Sequence, residues 1–253
     1  MSKIDRNGLS LHYQTSGSGS PVLLTHGFAA TSRMWLGQAE AFHDRNQVIT
    51  WDMRGHGRSD SPDDASAYSV ETTVADMAAL LDLLGHERAV IGGHSLGGYM
   101  SLAFYMRHPE RVRALLIIDT GPGYKSAAPR EEWNEMAGGL ARRLERDGLE
   151  HLAKLSSEMD PSEHSSASGL AMAAGGMLTQ RDSTVLDSLP EIAVPALVIG
   201  GEKDRGYLAA SDYMARKIPD AEQVVIANAG HAVNLHQPDH FNEALGSFLE
   251  RVG

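Results

Sequence analysis

The chain has no cysteine, which removes disulfides and thiolate chemistry and leaves only His and carboxylate side chains to hold a metal. Basic residues are short as well: 22 Lys and Arg stand against 33 Asp and Glu, a formal charge of -11 over 253 residues. Such a surface repels phosphate backbones and anionic headgroups, so neither nucleic acid nor a membrane is an expected partner. Long apolar runs are missing. The longest branched apolar stretch, Leu115 to Ile118, falls far below the roughly 20 residues that cross a bilayer. The opening MSKIDRNG is polar where a signal peptide needs an apolar core. A soluble, cytoplasmic protein of enzyme size is expected.

What the chain does have is alternation. Apolar runs at PVLLTHG (21–27), QVITWD (47–52), AVIGGH (89–94), ALLIID (114–119), ALVIGG (196–201) and QVVIAN (223–228) are bounded by turn residues, as buried strands are. Helical patterns separate most of them, Val70 to Leu84 being the clearest, and this rhythm predicts an α/β fold with a mainly parallel sheet. Leu9 to Gln14 alternates and turns through SGSGS (16–20), which predicts an antiparallel hairpin feeding the sheet. From Thr120 to about Leu189 the strand signal stops. There Trp133, Met136, Leu140 and Leu144 recur at helical spacing, and Leu149, Leu152 and Leu155 form a second stripe. A helical insertion over 120–189 is expected, between core segments 1–119 and 190–253.

The chemistry centres on GGHSLGG (92–98), one serine among four glycines, between the strand AVIGGH and a helix predicted over Leu96 to Arg107. With only Ser95 at the junction the chain must reverse within about one residue, the GxSxG elbow that lifts a serine oxygen above the C-terminal sheet edge. A serine hydroxyl needs a base, and the base needs an acid to orient it. NAGHAVN places His231 just after the last strand, and GGEKDRGYL places Asp204 just after the strand before it. In a parallel sheet those loops open on the same edge as the elbow, and Ser95, Asp204, His231 is the chain order of a triad on such a sheet. HGF (26–28) follows the first buried strand, so the backbone N–H groups of Phe28 and Leu96 are the expected oxyanion hole.

HGF, DMRGHGRSD, GHSLGG, GEKD and AGHAVN, in this order and at these spacings, resemble the α/β-hydrolase superfamily from about Ile4 to Val252. The resemblance implies the α/β-hydrolase fold, a mostly parallel twisted sheet with helices on both faces, and an inserted helical cap. It also implies a cofactor-independent serine hydrolase with Ser95, Asp204 and His231 as its triad. The single-HG loop and compact cap are most similar to small bacterial esterases, enol-lactonases and meta-cleavage C–C hydrolases. Dehalogenases and epoxide hydrolases of this superfamily carry aspartate at the elbow, where this chain has Ser95.

Several neighbours compete for these roles. Asp119 also ends a strand on the catalytic edge and is the alternative triad acid; Asp204 is preferred because GEKD is where most of the superfamily carries it. His94 adjoins Ser95 but should point away across so sharp a turn. His26, His56 and Asp52, with Arg54 and Arg58, are expected to make local hydrogen bonds. His236 and His240 have zinc-helix spacing, yet Gln237 and Pro238 intervene, so no metal is expected. Phe28 and Trp35 from the core, with Trp133, Met136 and Met177 from the insertion, are candidates to hold the substrate. The expected activity is cleavage of a small, mainly apolar ester, thioester or lactone. C–C hydrolysis of a vinylogous diketone, perhydrolase or acyltransferase activity, and low-turnover small-molecule reception on the same fold are the alternatives.

Overall fold

The structure, a computed structural model, describes residues 2–253. Its strands are β1 (Ser2–Asp5), β2 (Ser10–Ser16), β3 (Ser20–Thr25), β4 (Asn46–Trp51), β5 (Ala89–His94), β6 (Val112–Ile118), β7 (Ala196–Gly201) and β8 (Ala221–Ile226). They form one sheet in the order β1-β2-β4-β3-β5-β6-β7-β8. β1 with β2 and β2 with β4 pair antiparallel, and the remaining pairs are parallel. The helices are α1 (Leu36–Phe42), α2 (Val70–Leu83), α3 (Leu96–Arg107), α4 (Ala127–Asp147), α5 (Ala167–Met177), α6 (Thr184–Asp187), α7 (Arg205–Lys217), α8 (Val233–His236) and α9 (Pro238–Val252).

Strand alternation builds two cores, because successive side chains leave opposite faces of a sheet. Val22, Leu24 and Val48 face one side, where Trp35, Phe241 and Phe248 cover them. Leu23, Ile49 and Ile91 face the other, under Met77, Leu80 and Phe104. Strands covered on both faces must be apolar throughout, and every residue of β5 and β7 is buried. Helix starts are set locally; at α2 the Ser69 side chain accepts the Thr72 N–H (3.1 Å).

The hairpin expected to turn through SGSGS is placed differently. β2 pairs with β1 and β4, so the hairpin turn is at Arg6 to Leu9, and SGSGS carries the chain past β4 to β3. Gly17 and Gly19 both have positive φ there, and a side chain on either would overlap the backbone between His43 and Asn46.

Between β6 and β7 no strand occurs among the described residues; α4, α5, α6 and short turns fill the interval, and α4 packs on α5. Ala137, Leu140 and Leu144 form the buried side of α4. Met136 lies about 70° off the centre of that side at helical spacing, and it is 42% exposed. Residues 158–164 fasten this interval to the sheet's C-terminal edge at two places. At one, His236 Nε2–H donates to Glu158 Oε1 (2.7 Å). At the other, Glu163 meets Thr31 (2.6 Å) and Arg33 (2.9 Å), while the His164 ring bridges the Gly57 N–H and the Ala29 carbonyl, both at 3.1 Å. No helix among the described residues is long and apolar enough to cross a membrane.

Candidate active site

Ser95 stands alone between β5 and α3 with φ 51 and ψ -114, a backbone conformation that is strained for a side-chain-bearing residue. The surrounding glycines are required by close approach: a Cβ on Gly93 would overlap the Gly97 backbone, and one on Gly97 would overlap the Thr25 carbonyl. Leu96 opens α3, so its N–H has no partner inside the helix. A Cβ on Gly27 would lie 2.7 Å from His94 Nδ1 and 3.4 Å from Ser95 Cβ, which puts the HGF loop against the serine. The Phe28 ring turns away, edge-on to His56 at 5.5 Å.

His231 Nδ1–H donates to Asp204 Oδ2 at 2.6 Å, which fixes the tautomer and leaves Nε2 as the basic nitrogen. Asp204 is 13% exposed and His231 38%, so the pair is sheltered on the acid side and open on the base side. Tyr207 stacks on the His231 ring (4.9 Å between centroids, 30° between planes). His94 donates Nε2–H to the His231 carbonyl at 2.7 Å, and its burial pushes it down to about 3, so it stays a neutral positioning residue.

Asp119 ends beside this pair; oxygens of Asp119 and Asp204 and a ring nitrogen of His231 lie within 4.8 Å of one another. Its Oδ1 accepts the Gly201 N–H at 2.9 Å. Burial above all pushes this carboxyl up to about 7. The unfolded chain releases the proton near pH 4 and the folded one holds it to about 7, so this group makes stability fall as pH rises through that interval. Asparagine keeps an acceptor for Gly201 and has no proton to lose. Asp119→Asn should therefore gain on the parent by up to about 3 kcal/mol between pH 5 and pH 8. Urea unfolding at the two pH values measures it, and a constant difference would contradict the assignment.

The other histidines and charged residues of the edge are held as scaffold. His26 donates to the Gly27 carbonyl (2.7 Å) and accepts from the Met53 N–H (3.0 Å), and burial pushes it down to about 4. Asp52 accepts the Ser32 and Arg58 amides (2.6 and 2.9 Å), and Arg54 grips Asp76 with two hydrogen bonds of 2.7 and 2.9 Å. His236 Nδ1 accepts the Gly230 N–H at 2.9 Å, next to His231. His240 is exposed on α9.

A cavity of about 330 Å³ opens over Ser95 and Leu96. Trp133 and Met177 line it. Trp35 and Met136 do not: Trp35 is fully buried on the opposite face of the sheet, and Met136 sits on the outer margin of α4. The walls also include Tyr99, Tyr124, Gln180 and Tyr207, which the sequence reasoning passed over. Two of them carried a signal: Tyr99 follows Ser95 by four residues and Tyr207 follows Asp204 by three, each about one helical turn on.

Residues 20–165 match the family described as the alpha/beta hydrolase fold. The chain belongs to the α/β-hydrolase family. A relative of this hydrolase, a putative 2-succinyl-6-hydroxy-2,4-cyclohexadiene-1-carboxylate synthase from Bacillus subtilis, is 30% identical over 91% of this chain and 90% of its own. A thermophilic esterase from Thermogutta terrifontis superposes on the α/β hydrolase with a TM-score of 0.89, at 30% identity over 100% of this chain and 99% of its own. The enol-lactonase from Burkholderia xenovorans superposes with a TM-score of 0.86, at 26% identity over 98% and 100%.

Proposed function

We propose that this α/β hydrolase cleaves a small, mainly apolar carboxylic ester or lactone through an acyl-enzyme on Ser95. In this reading residues 120–189 act as a cap over a core of residues 1–119 and 190–253. The observation that carries it is the 2.6 Å contact between Asp204 and His231 on the sheet edge where the strained Ser95 opens to a cavity. His231 Nε2 takes the Ser95 proton as the serine oxygen attacks the carbonyl carbon. The Phe28 and Leu96 amides hold the resulting oxyanion, and the imidazolium returns the proton to the leaving oxygen. Water then attacks the acyl-enzyme by the same route, with Asp204 supporting the imidazolium in both steps. Trp133 and Met177 hold the body of the substrate. The likeness to an esterase and an enol-lactonase over nearly the whole chain supports ester chemistry. A panel of 4-nitrophenyl esters, aromatic and enol lactones and ring-fission dienes tests the proposal: ester or lactone turnover is expected, and turnover of dienes alone would reassign the triad to C–C cleavage.

A cap that gates the cavity must open more readily than the sheet. Backbone amides between residues 128 and 178 should exchange with deuterium faster than those of β5, β6 and β7, and equal protection in both would count against gating.

A further inference from the structure

We infer that the cavity over Ser95 admits uncharged groups and turns away substrates that carry a free carboxylate there. The inference rests on Ser95 as the acylated nucleophile and adds the charge of the substrate, which that reading leaves open.

Among the described residues, those lining the cavity include no Lys, Arg, His, Asp or Glu. Aromatic rings and a thioether, supplied by Tyr99, Tyr124, Trp133, Tyr207 and Met177, form much of the walls, with Thr120 and Gln180 as uncharged polar residues. Two of the wall donors are engaged: Trp133 Nε1–H donates to the Leu178 carbonyl (2.6 Å), and the Tyr124 N–H donates to Gln180 Oε1 (3.2 Å). The cations on the same loop and helix are engaged by other groups. Lys125 pairs with Asp187 (3.4 Å), and Arg130 donates to the carbonyls of Tyr124 (3.1 Å) and Lys125 (3.4 Å).

The charged side chains that act on the Tyr99 and Tyr207 hydroxyls are negative. The Tyr99 hydroxyl is pushed up to about 12, first by burial and then by Asp182 and Glu71. Tyr207 is pushed up to about 12, first by burial and then by Asp204, while a hydrogen bond with Ser95 opposes the shift. A carboxylate entering this space sheds its water and finds no cationic side chain in the walls to replace it. The Phe28 and Leu96 amides cannot compensate, because the reacting carbonyl takes them. A neutral group of the same shape incurs none of these costs.

Two matched pairs test this without assuming which half of the ester occupies the cavity. On the acyl side, 4-nitrophenyl 4-methylpentanoate is compared with mono-4-nitrophenyl succinate. On the alcohol side, 4-acetylphenyl butyrate is compared with 4-carboxyphenyl butyrate. In at least one pair the charged member should lose on the order of a hundredfold in kcat/KM. A loss under tenfold in both pairs overturns the inference. Tyr124→Arg then puts a cation on a partly exposed wall and should narrow the gap at least tenfold in the discriminating pair. A gap unchanged in that variant assigns the discrimination to shape and overturns the role of charge. If all four esters are inert, the ester-hydrolase reading itself falls, and that result is distinct from equal turnover of charged and neutral members.

Discussion

Ser95→Ala should abolish both ester hydrolysis and labelling by a fluorophosphonate, with turnover falling on the order of a million-fold if the three residues act as a unit. The size of the loss follows from the geometry of the elbow. Ser95 is the residue forced to φ 51 between a buried strand and a buried helix, and it lines the cavity. Alanine meets the same backbone strain as serine and is slightly smaller, so the variant should fold as the parent does. Circular dichroism and thermal melting check that the loss is chemical. Intact-mass analysis after fluorophosphonate treatment then reads the site directly: one adduct on the parent and none on the variant. An adduct that persists on Ser95→Ala would place the nucleophile elsewhere.

Asp204→Asn should cost about ten-thousand-fold in kcat/KM. The 2.6 Å contact from His231 Nδ1 makes Asp204 the principal partner of the base. An amide in its place permits the wrong imidazole tautomer and leaves the imidazolium unsupported when the tetrahedral intermediate forms. Asp119→Asn is the control, because that carboxyl is close to the pair but is bonded to the Gly201 amide and pushed up to about 7 by burial. It should cost far less than Asp204→Asn. Steady-state kinetics across a pH series for the parent and both variants settle the order. A large loss in Asp119→Asn with near-normal rates in Asp204→Asn would draw the acid from the end of β6.

The parts of the fold that are apolar on both faces were readable from the chain alone. AVIGGH, ALVIGG and the helix from Leu96 to Arg107 fall on β5, β7 and α3 residue for residue, because a buried strand has one composition and glycine marks its junction. β1 carried no such mark: it has four residues with only Ile4 buried, too few for alternation to show. Its absence from the reading is what misplaced the hairpin turn. The order of Ser95, Asp204 and His231 needed only motifs at strand ends, whereas the cavity walls depend on how α4 and α5 settle over the sheet. Trp35 shows the difference. An aromatic near the HGF loop suggests a substrate contact, but which face of the sheet it enters is decided by the turn of residues 32–35, and that turn sends it into the core with Val22, Leu24 and Val48.

Residues 158–164 are fastened by side chains. Glu158 is tied beside the loop of His231, and Glu163 and His164 are tied beside the loop of Phe28, so one short segment reaches both loops. The height of that segment above the sheet edge is therefore set by the three side chains Glu158, Glu163 and His164 and not by backbone pairing.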